Sequence, residues 1–347
     1  MANTFEGQSG NDDNMIDNMD AVLGGLRAEA RTIDQYMQED LTRLEPAMDA
    51  RLLEVLNYGL FNGGKRIRPL LATFASRLCG NTDREVYKLG CAFEYLHAAT
   101  LFHDDIIDNS ETRRGKQSVF KKFGTTAAIL AGDFLHALAM ATVGELSGVK
   151  GLRIFCNATT GMVDGEFMQL RNAEKHNLSE IDYNDAIMGK TGLLIAAACE
   201  IGAVYGRGSA QQVAALREYG VNLGCAFQIV DDLLDYLGDP VKTGKTTGND
   251  LAEGKITLPL ILTMNAAGER DKTRLLSILA DKSARIAYFP EVCALVTKYD
   301  GFNAAKNRAE TAVAKAVRSL SLFTGQDVLH ERTLLEGLAG YVLAREK

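Results

Sequence analysis

The chain contains the same acidic pattern twice, Asp-Asp-Ile-Ile-Asp at 104–108 and Asp-Asp-Leu-Leu-Asp at 231–235. Each copy ends an apolar stretch whose periodicity predicts a helix. The carboxylates of a pentad repel one another, and burying them beside apolar side chains is unfavourable unless a cation compensates. Hard divalent cations provide that compensation, and Mg²⁺ commonly combines one or two carboxylates with substrate phosphates. The two pentads therefore predict a site that holds a polyphosphate through a shared group of metal ions.

The spacing within each pentad supports this interpretation. Positions i and i+4 lie on one face of a helix, so the first and last carboxylates point the same way while the second turns aside. An acidic helix end that faces solvent is the alternative, and it would suffice for a single pentad. Two copies among apolar neighbours favour metal binding. The predicted ligands are Asp104, Asp108, Asp231 and Asp235.

The composition predicts an all-α fold in a single domain. The chain has 347 residues, of which 46% are apolar and 24% charged, with 5 prolines and no tryptophan. Helical periodicity recurs to the C-terminus with no compositional boundary, and no run combines β-branched residues with strict alternation. We therefore expect one all-α domain over 21–347. The segment 1–20 is polar and acidic, and we expect it to be a disordered tail.

Two predicted helices, 86–103 and 219–237, are apolar around most of their circumference. This property is typical of helices at the centre of a bundle. They are also the helices that carry the two pentads, and facing helices of a bundle build ligand and metal sites in its core. The simplest architecture is a single large helical bundle, with the pentads opposed at one end of a deep central cavity.

The net charge and the cysteines limit the kinds of partner and the cellular compartment that the sequence predicts. The net charge of −7 argues against a broad nucleic-acid-binding surface. The six cysteines show no metal-binding or C-x-x-C spacing, which predicts core residues in a reducing cytoplasm. The N-terminus lacks the pattern of a secretory signal, and no uninterrupted apolar run reaches transmembrane length. The sequence leaves peripheral association with a membrane open.

Basic residues cluster in two places that suit anion binding. The segment 63–69 (Gly-Gly-Lys-Arg-Ile-Arg-Pro) opens a predicted helix with three cations, and helix N-termini with Lys and Arg side chains bind anions. Arg113 and Arg114 follow the first pentad directly. Metal-chelating acids followed by two arginines fit a site for two anionic groups, one bound through metal and one by guanidinium groups. The alternative for the segment 63–69 is an exposed basic turn.

Two further basic groups are less distinctive. Lys242, Lys245 and Lys255 follow the second pentad, and Lys190 precedes Thr191 between two predicted helices. These side chains could simply solvate loops, and for Lys242 we prefer that interpretation.

The ordered set of motifs resembles the trans-isoprenyl diphosphate synthases. It comprises Gly-Gly-Lys-Arg-Ile-Arg-Pro, the stretch 101–115 around the first pentad, Gly165-Glu166, Lys190-Thr191, the stretch 227–235 that ends in the second pentad, and Gly244-Lys245. The resemblance spans about residues 45 to 265. It implies an all-α bundle around a deep cavity, a homodimer, and Mg²⁺-dependent head-to-tail condensation of isopentenyl diphosphate with an allylic diphosphate. It also implies roughly three Mg²⁺ ions per active site.

The resemblance assigns roles to individual positions. Asp104, Asp108 and Asp231 resemble Mg²⁺ ligands on the allylic diphosphate, and Asp235 resembles a ligand that acts through water. Isopentenyl diphosphate would be held by Lys65, Arg68, His97 and Arg114, and the allylic diphosphate would contact Arg113. The departing diphosphate and the nascent carbocation would be lined by Lys190, Thr191, Gln228, Lys245 and Lys255.

His97 can also be judged from spacing. It lies seven positions before Asp104, two helical turns away and so on the same helix face. A lone histidine in an apolar helix is more often a core residue, but this alignment favours a diphosphate contact.

The residues that precede the first pentad bear on product length. In this family the residues four and five positions before the pentad form a cavity floor, and here they are the small Thr100 and Ala99. Short-chain farnesyl synthases carry aromatic residues there, so the sequence is similar to long-chain, octaprenyl-type enzymes that supply quinone side chains. Leu96 and Phe93 lie deeper on roughly the same face and could set the final limit. Ordinary helix packing is the alternative for Ala99 and Thr100.

Three other functions stay open from the sequence. A geranylgeranyl or farnesyl synthase differs only at the cavity floor. A terpene cyclase also pairs metal clusters in a helical bundle, but it does not need the basic segment 63–69 or Arg114. A non-catalytic regulatory subunit of a heteromeric synthase typically lacks one of these motifs, and this chain keeps them all.

Overall fold

The computed structural model describes residues 9–238 and 247–345, with side chains from residue 22 onward. Lys242 and Lys245 lie outside the described residues. In order, the α-helices are α1 (Ser9–Leu44), α2 (Ala50–Leu60), α3 (Ile67–Leu78), α4 (Val86–Ile107), α5 (Val119–Phe123), α6 (Thr125–Glu174), α7 (Glu180–Ile187), α8 (Leu193–Tyr205), α9 (Ala210–Leu237), α10 (Asn249–Glu253), α11 (Leu258–Ala266), α12 (Glu269–Leu279), α13 (Lys282–Ala287), α14 (Phe289–Lys298), α15 (Gly301–Ser319) and α16 (Leu329–Leu343). The predicted all-α class is confirmed.

Shorter elements join these helices. Three turns of 3₁₀-helix cover Glu45–Ala47, Leu320–Leu322 and Gln326–Val328, and a π-helical segment, Met188–Gly192, links α7 to α8.

One small β-hairpin corrects the expectation that the chain forms no sheet. Strands β1 (Thr112–Arg113) and β2 (Lys116–Gln117) pair antiparallel directly after the first pentad. Strands this short cannot show the alternation by which strands are recognised, because alternation needs several residues. The hairpin matters because it holds both arginines that follow the pentad.

The pentad helices lie at the centre of the bundle, as the sequence predicts. Helix α4 packs between α6 and α3, and α9 packs between α8 and α15. Phe93 and Tyr95 of α4 and Tyr219 of α9 are among the largest fully buried side chains. Apolar burial of this kind is the dominant favourable term in folding, so the same packing that stabilises the bundle fixes where α4 and α9 end.

Helix α6 changes direction at Gly148, which has φ 64° and ψ −166° inside the helix. Non-glycine residues rarely adopt a positive φ, so glycine suits this break. The sequence predicts separate helices over 125–147 and 151–171, and the break falls between them.

Helix α1 begins at Ser9, inside the segment for which the sequence predicts disorder. Its later turns dock on the core through Ile33, Met37 and Leu41, which are fully buried and share one face. Residues 1–8 lie outside the described part of the chain, so the expectation of a disordered end stays a prediction there.

Two segments are long and apolar enough to cross a membrane by length and composition, Thr125–Glu174 and Glu180–Tyr205. The apolar window of the second is 72% buried inside the bundle, as expected of a core helix, and that of the first is 33% buried. Core helices meet the same criterion as membrane spans, so the expectation of no transmembrane segment stays a prediction.

Replacing Gly202 of α8 by alanine should destabilise the fold. A Cβ atom there would lie 2.2 Å from the carbonyl oxygen of Ala72 in α3, so the two helices would have to separate. We expect a loss of about 1–3 kcal/mol in the free energy of unfolding, measured by urea denaturation. Gly24→Ala in α1 is the control, because a Cβ there meets nothing within 4 Å. An equal urea midpoint for both variants would contradict the close packing of α3 and α8.

Candidate active site

The first pentad lies at the C-terminal end of α4, and its carboxylates differ in whether they are exposed or buried. Asp104 is partly exposed and Asp108, the C-cap of the helix, is exposed. Asp105 is buried and forms an ion pair with Arg113 of β1, at 2.6 Å from Nη2 and 2.8 Å from Nε. The first and last carboxylates thus face outward, and the second fixes the arginine that follows the pentad.

The second pentad, near the end of α9, repeats this division. Asp231 is exposed and pairs with Arg345 at 3.2 Å, whereas Asp232 is buried. Asp235 accepts hydrogen bonds from the backbone N–H groups of Asn249 and Asp250, at the N-terminus of α10. A helix N-terminus favours negative charge, so α10 helps to hold Asp235.

Two lysines lie close enough to the pentads for their charges to act on the carboxylates. Lys190 of the π-helical segment is 2.7 Å from Glu166 and 2.8 Å from Gln169, and its charge acts on Asp104 and Asp108.

Lys255, after α10, acts on both pentads. Its Nζ lies 2.7 Å from Glu253 and 3.5 Å from Asp250. Its charge lowers the pKa of Asp108 and that of Asp235. Because one ammonium group acts on a carboxylate of each pentad, the pentads face a common space.

Burial raises the pKa of three carboxyls that the sequence predicts as metal ligands, Asp104, Asp108 and Asp235. The pKa of Asp104 rises to about 6 through burial, with further increases from Glu166 and Asp108 that Lys190 opposes. The pKa of Asp235 also rises to about 6, through burial and then Asp250. Burial likewise raises the pKa of Asp108. The surrounding lysines therefore do not fully compensate the negative charge of these carboxylates.

This donor set suits Mg²⁺ bound together with a substrate. Among the residues that the structure describes, no three or more His, Cys, Asp or Glu side chains converge on one metal position. Mg²⁺ rarely sits in an all-protein cage, because it usually keeps waters and substrate phosphates beside one or two carboxylates. Partly buried carboxylates with raised pKa values, at the ends of two central helices, fit metal ions that arrive with a diphosphate.

The basic cluster forms a second group at the start of α3. The guanidinium of Arg68 is buried, and its Nε has no hydrogen-bond partner among the described residues. Burial, and then the charges of Arg68 and Arg114, lower the pKa of His97 far below its usual range. Lys65 lies over the ring of Tyr341, 5.1 Å from its centroid. Several cations beside a neutral imidazole suit an anion that accepts hydrogen bonds from them.

Arg66 differs from the other cations of this motif. Its side chain is buried and contacts Asp34 of α1 at 2.7 Å, Glu94 of α4 at 2.5 Å and the carbonyl oxygen of Leu60 at 2.8 Å. Its backbone has φ 52°, in the left-handed region, where the turn enters α3. Arg66 therefore anchors the loop on which Lys65 and Arg68 are displayed.

An adjoining cleft of about 460 Å³ connects this loop with the β-hairpin. Its lining includes Asn62, Arg66, Asp105, Arg113 and Arg114. Arg114 itself donates a hydrogen bond to the carbonyl oxygen of Gly63, which joins the hairpin to the glycine turn.

Thr191 and Gln228 meet in a hydrogen-bonded chain beside the second pentad. The Thr191 hydroxyl donates to Gln228 Oε1 at 2.9 Å, and Gln228 Nε2 donates to Asp232 at 2.9 Å. Tyr183 of α7 donates to the other oxygen of Asp232 at 2.6 Å. Sequence reasoning missed Tyr183, since its partner lies 49 positions away and no motif marks it.

The positions predicted to set product length line the buried face of α4. Ala99, Leu96 and Phe93 are buried, and Thr100 is partly exposed, with its hydroxyl donating to the carbonyl oxygen of His97. Phe93 packs edge-to-face on Phe155 of α6, with ring centroids 5.5 Å apart.

The structure thus brings together the predicted site residues in two neighbouring groups. One contains the pentads with Lys190, Thr191, Gln228 and Lys255, and the other contains the basic cluster with His97 and Arg114. Lys245 lies outside the described residues, so its placement stays a prediction.

Metal affinity should depend on pH through Asp104 and Asp235. Their pKa values of about 6 exceed the ordinary 3.8, so the folded protein holds extra protons between about pH 4 and 6. Their contribution to stability is complete below that window and is lost as pH rises through 6, where the bare carboxylates can take Mg²⁺ instead. The increase in Tm on adding Mg²⁺ should therefore grow from pH 5 to pH 7.5.

Thermal scans with and without Mg²⁺ measure this dependence. Asp104→Asn is the control, because its amide neither titrates nor carries charge, and its Mg²⁺-induced increase in Tm should vary less with pH. An increase in the unsubstituted protein that is the same at both pH values would contradict the prediction.

Known proteins match most of this chain. The family model for polyprenyl synthetase matches residues 49–296. An octaprenyl diphosphate synthase of Haemophilus influenzae is 37% identical over 265 residues, 76% of this chain and 80% of the relative. A short chain isoprenyl diphosphate synthase of Methanothermobacter thermautotrophicus is 34% identical over 329 residues, 94% of this chain and 99% of the relative.

A solved structure extends the match to the fold. The polyprenyl synthase of Caulobacter crescentus CB15, complexed with calcium and isoprenyl diphosphate, superposes with a TM-score of 0.85 at 34% identity. The match covers 95% of this chain and 98% of that one. With both pentads, the basic cluster and the central helices in place, the chain is a prenyltransferase that belongs to the trans-isoprenyl diphosphate synthase family.

Proposed function

We propose that the chain condenses isopentenyl diphosphate with an allylic diphosphate, using Mg²⁺, to make a long-chain all-trans polyprenyl diphosphate for quinone side chains. The observation that carries this proposal is the pairing of two anion sites of different chemistry. One is acidic and suits a metal-bound diphosphate between α4 and α9. The other is basic and suits a second diphosphate held by Lys65, Arg68, His97 and Arg114.

The acidic site would ionise the allylic substrate. Asp104, Asp108, Asp231 and Asp235 would hold Mg²⁺, which when bound spreads the charge of the diphosphate and makes it a better leaving group. Lys190 lies beside the first pentad and would stabilise the negative charge on the departing oxygen. The allylic C–O bond breaks with its electron pair on that oxygen, leaving an allylic cation.

The remaining groups would direct the cation to the second substrate. The hydroxyl of Thr191 and the carbonyl oxygen of Gln228 place partial negative charge beside the cation, and the apolar wall of α4 excludes water. Isopentenyl diphosphate, held by the basic cluster, attacks through its double bond to form a C–C bond. Loss of a proton to the released diphosphate then completes the reaction, which explains why the site needs no separate general base.

Product length is the finer part of the proposal. The small Ala99 supports a long product, because it leaves the upper wall of α4 unobstructed, with Phe93 and Phe155 below. A short-chain geranylgeranyl or farnesyl synthase is the second candidate. It is favoured by the burial of Leu96 and by the similarity to the Methanothermobacter protein.

Assembly and location complete the proposal. Helix α6 exposes a set of large apolar side chains, Leu130, Val149, Val163 and Phe167. Large apolar side chains exposed along one helix are common at protein interfaces, which supports a homodimer. All six cysteines are free, which supports a reducing cytoplasm.

Removing one ligand from either pentad should abolish turnover while leaving the fold intact. Asp104→Ala and Asp231→Ala each remove charge from partly or fully exposed positions, so we expect normal Tm values and a rate lower by about 10³-fold or more. Incorporation of labelled isopentenyl diphosphate into extractable product, with farnesyl diphosphate and Mg²⁺, measures the rate. Glu54→Ala, an exposed acid of α2, is the control. Near-normal rates in saturating Mg²⁺ would refute the proposed roles.

Enlarging Ala99 should shorten the product. A graded series of Ala99→Val, Ala99→Leu and Ala99→Phe fills progressively more of the space beside α4, so mean chain length should fall along the series. Reversed-phase chromatography of dephosphorylated products measures it, and Tm values identify variants that no longer fold. The same distribution of chain lengths across the folded variants would show that Ala99 does not face the growing chain.

A further inference from the structure

We propose that Tyr183 is a positioning residue of the active site. Through Asp232, its hydroxyl orients the side chain of Gln228 and thereby the hydroxyl of Thr191. This inference rests on the proposed function, in which Gln228 and Thr191 face the allylic cation.

Tyr183 is placed by two elements that meet at the site. Helix α7 begins at Ser179, whose side chain caps it by accepting a hydrogen bond from the N–H of Asp182. The helix then continues into the π-helical segment that carries Lys190 and Thr191. The buried Tyr183 hydroxyl crosses to α9 and donates to Asp232 at 2.6 Å. One hydrogen bond therefore ties the segment bearing Thr191 to the helix bearing Gln228.

The direction of the Gln228 amide follows from this bond. Both oxygens of Asp232 act as acceptors in this network. With Tyr183 on one oxygen of Asp232, the other oxygen accepts from Gln228 Nε2 at 2.9 Å. The amide carbonyl must then point the opposite way, where it accepts the Thr191 hydroxyl at 2.9 Å. A carbonyl oxygen has a second lone pair, which this orientation directs away from Asp232.

If the Gln228 amide were flipped, the partial charge that it presents to the allylic cation would change sign. It would place Gln228 Oε1 against the oxygens of Asp232 and turn the positive NH₂ group toward the cation. The Thr191 hydroxyl would lose its acceptor. Asp232 prevents the flip only while its own carboxylate is held in place, and Tyr183 is the group that holds it.

The first pentad also uses its second acid to hold a neighbouring side chain. Its second carboxylate, Asp105, is also buried, and it holds Arg113 instead of facing the common space. In both pentads the second acid therefore acts as a support for a neighbouring polar side chain. This parallel argues that the contact between Tyr183 and Asp232 serves the site and not only the packing of α7.

Tyr183→Phe tests the inference, because it removes one hydroxyl and keeps the ring. We expect kcat to fall about tenfold, with KM for both diphosphates within about twofold of the unsubstituted enzyme. Tyr219→Phe is the matched control: its hydroxyl is also buried and donates to the carbonyl oxygen of Leu335 at 2.7 Å, away from the site. The two variants should lose similar Tm, while only Tyr183→Phe loses kcat.

A double-mutant cycle with Gln228→Ala gives the second readout. If Tyr183 acts by orienting the amide, Tyr183→Phe should change kcat little once the amide is gone. Equal kcat values for Tyr183→Phe and Tyr219→Phe, or multiplicative effects of Tyr183→Phe and Gln228→Ala, would overturn the inference. Failure of the unsubstituted enzyme to elongate any allylic diphosphate would instead overturn the proposed function.

Discussion

Repulsion between carboxylates at the ends of two buried helices is the constraint around which this molecule is arranged. The pentads lie at the ends of α4 and α9, two central helices of the bundle, so the packing of the core fixes where their charges lie. Lys190 and Lys255 reduce the repulsion, but Asp104 and Asp235 keep raised pKa values. Cations that bound there with a substrate would compensate this charge, which would couple substrate binding to the stability of α4 and α9.

In each pentad, helical geometry places the outer carboxylates and the second carboxylate on different faces. The outer carboxylates share a face, while the second is turned by about 100° into the protein. There, Asp105 and Asp232 each make short bonds to a side chain from another element. The second acid of each motif thus supports a neighbouring side chain, while the first and last acids are the ones proposed to bind metal.

Sequence reasoning reached the fold and the helix ends that carry the two pentads, because both follow from local patterns. Helical periodicity located α4 and α9, and the i, i+4 spacing identified which acids share a face. It could not identify the partners of Arg66, since Asp34 lies 32 positions away and its role follows only from the packing of α1 on α4. Tyr183 was missed for the same reason, and the hairpin at 112–117 was missed because its strands are too short to show a pattern.

The anchoring of Arg66 has a consequence for how the protein can be shortened. Asp34 belongs to the first helix, and it neutralises part of a buried guanidinium whose loop displays Lys65 and Arg68. Trimming the chain past this aspartate would leave Glu94 as the sole carboxylate beside that guanidinium among the contacts described for it. A fragment that is to keep this ion pair must therefore begin before Asp34, although the sequence motifs begin only at Gly63.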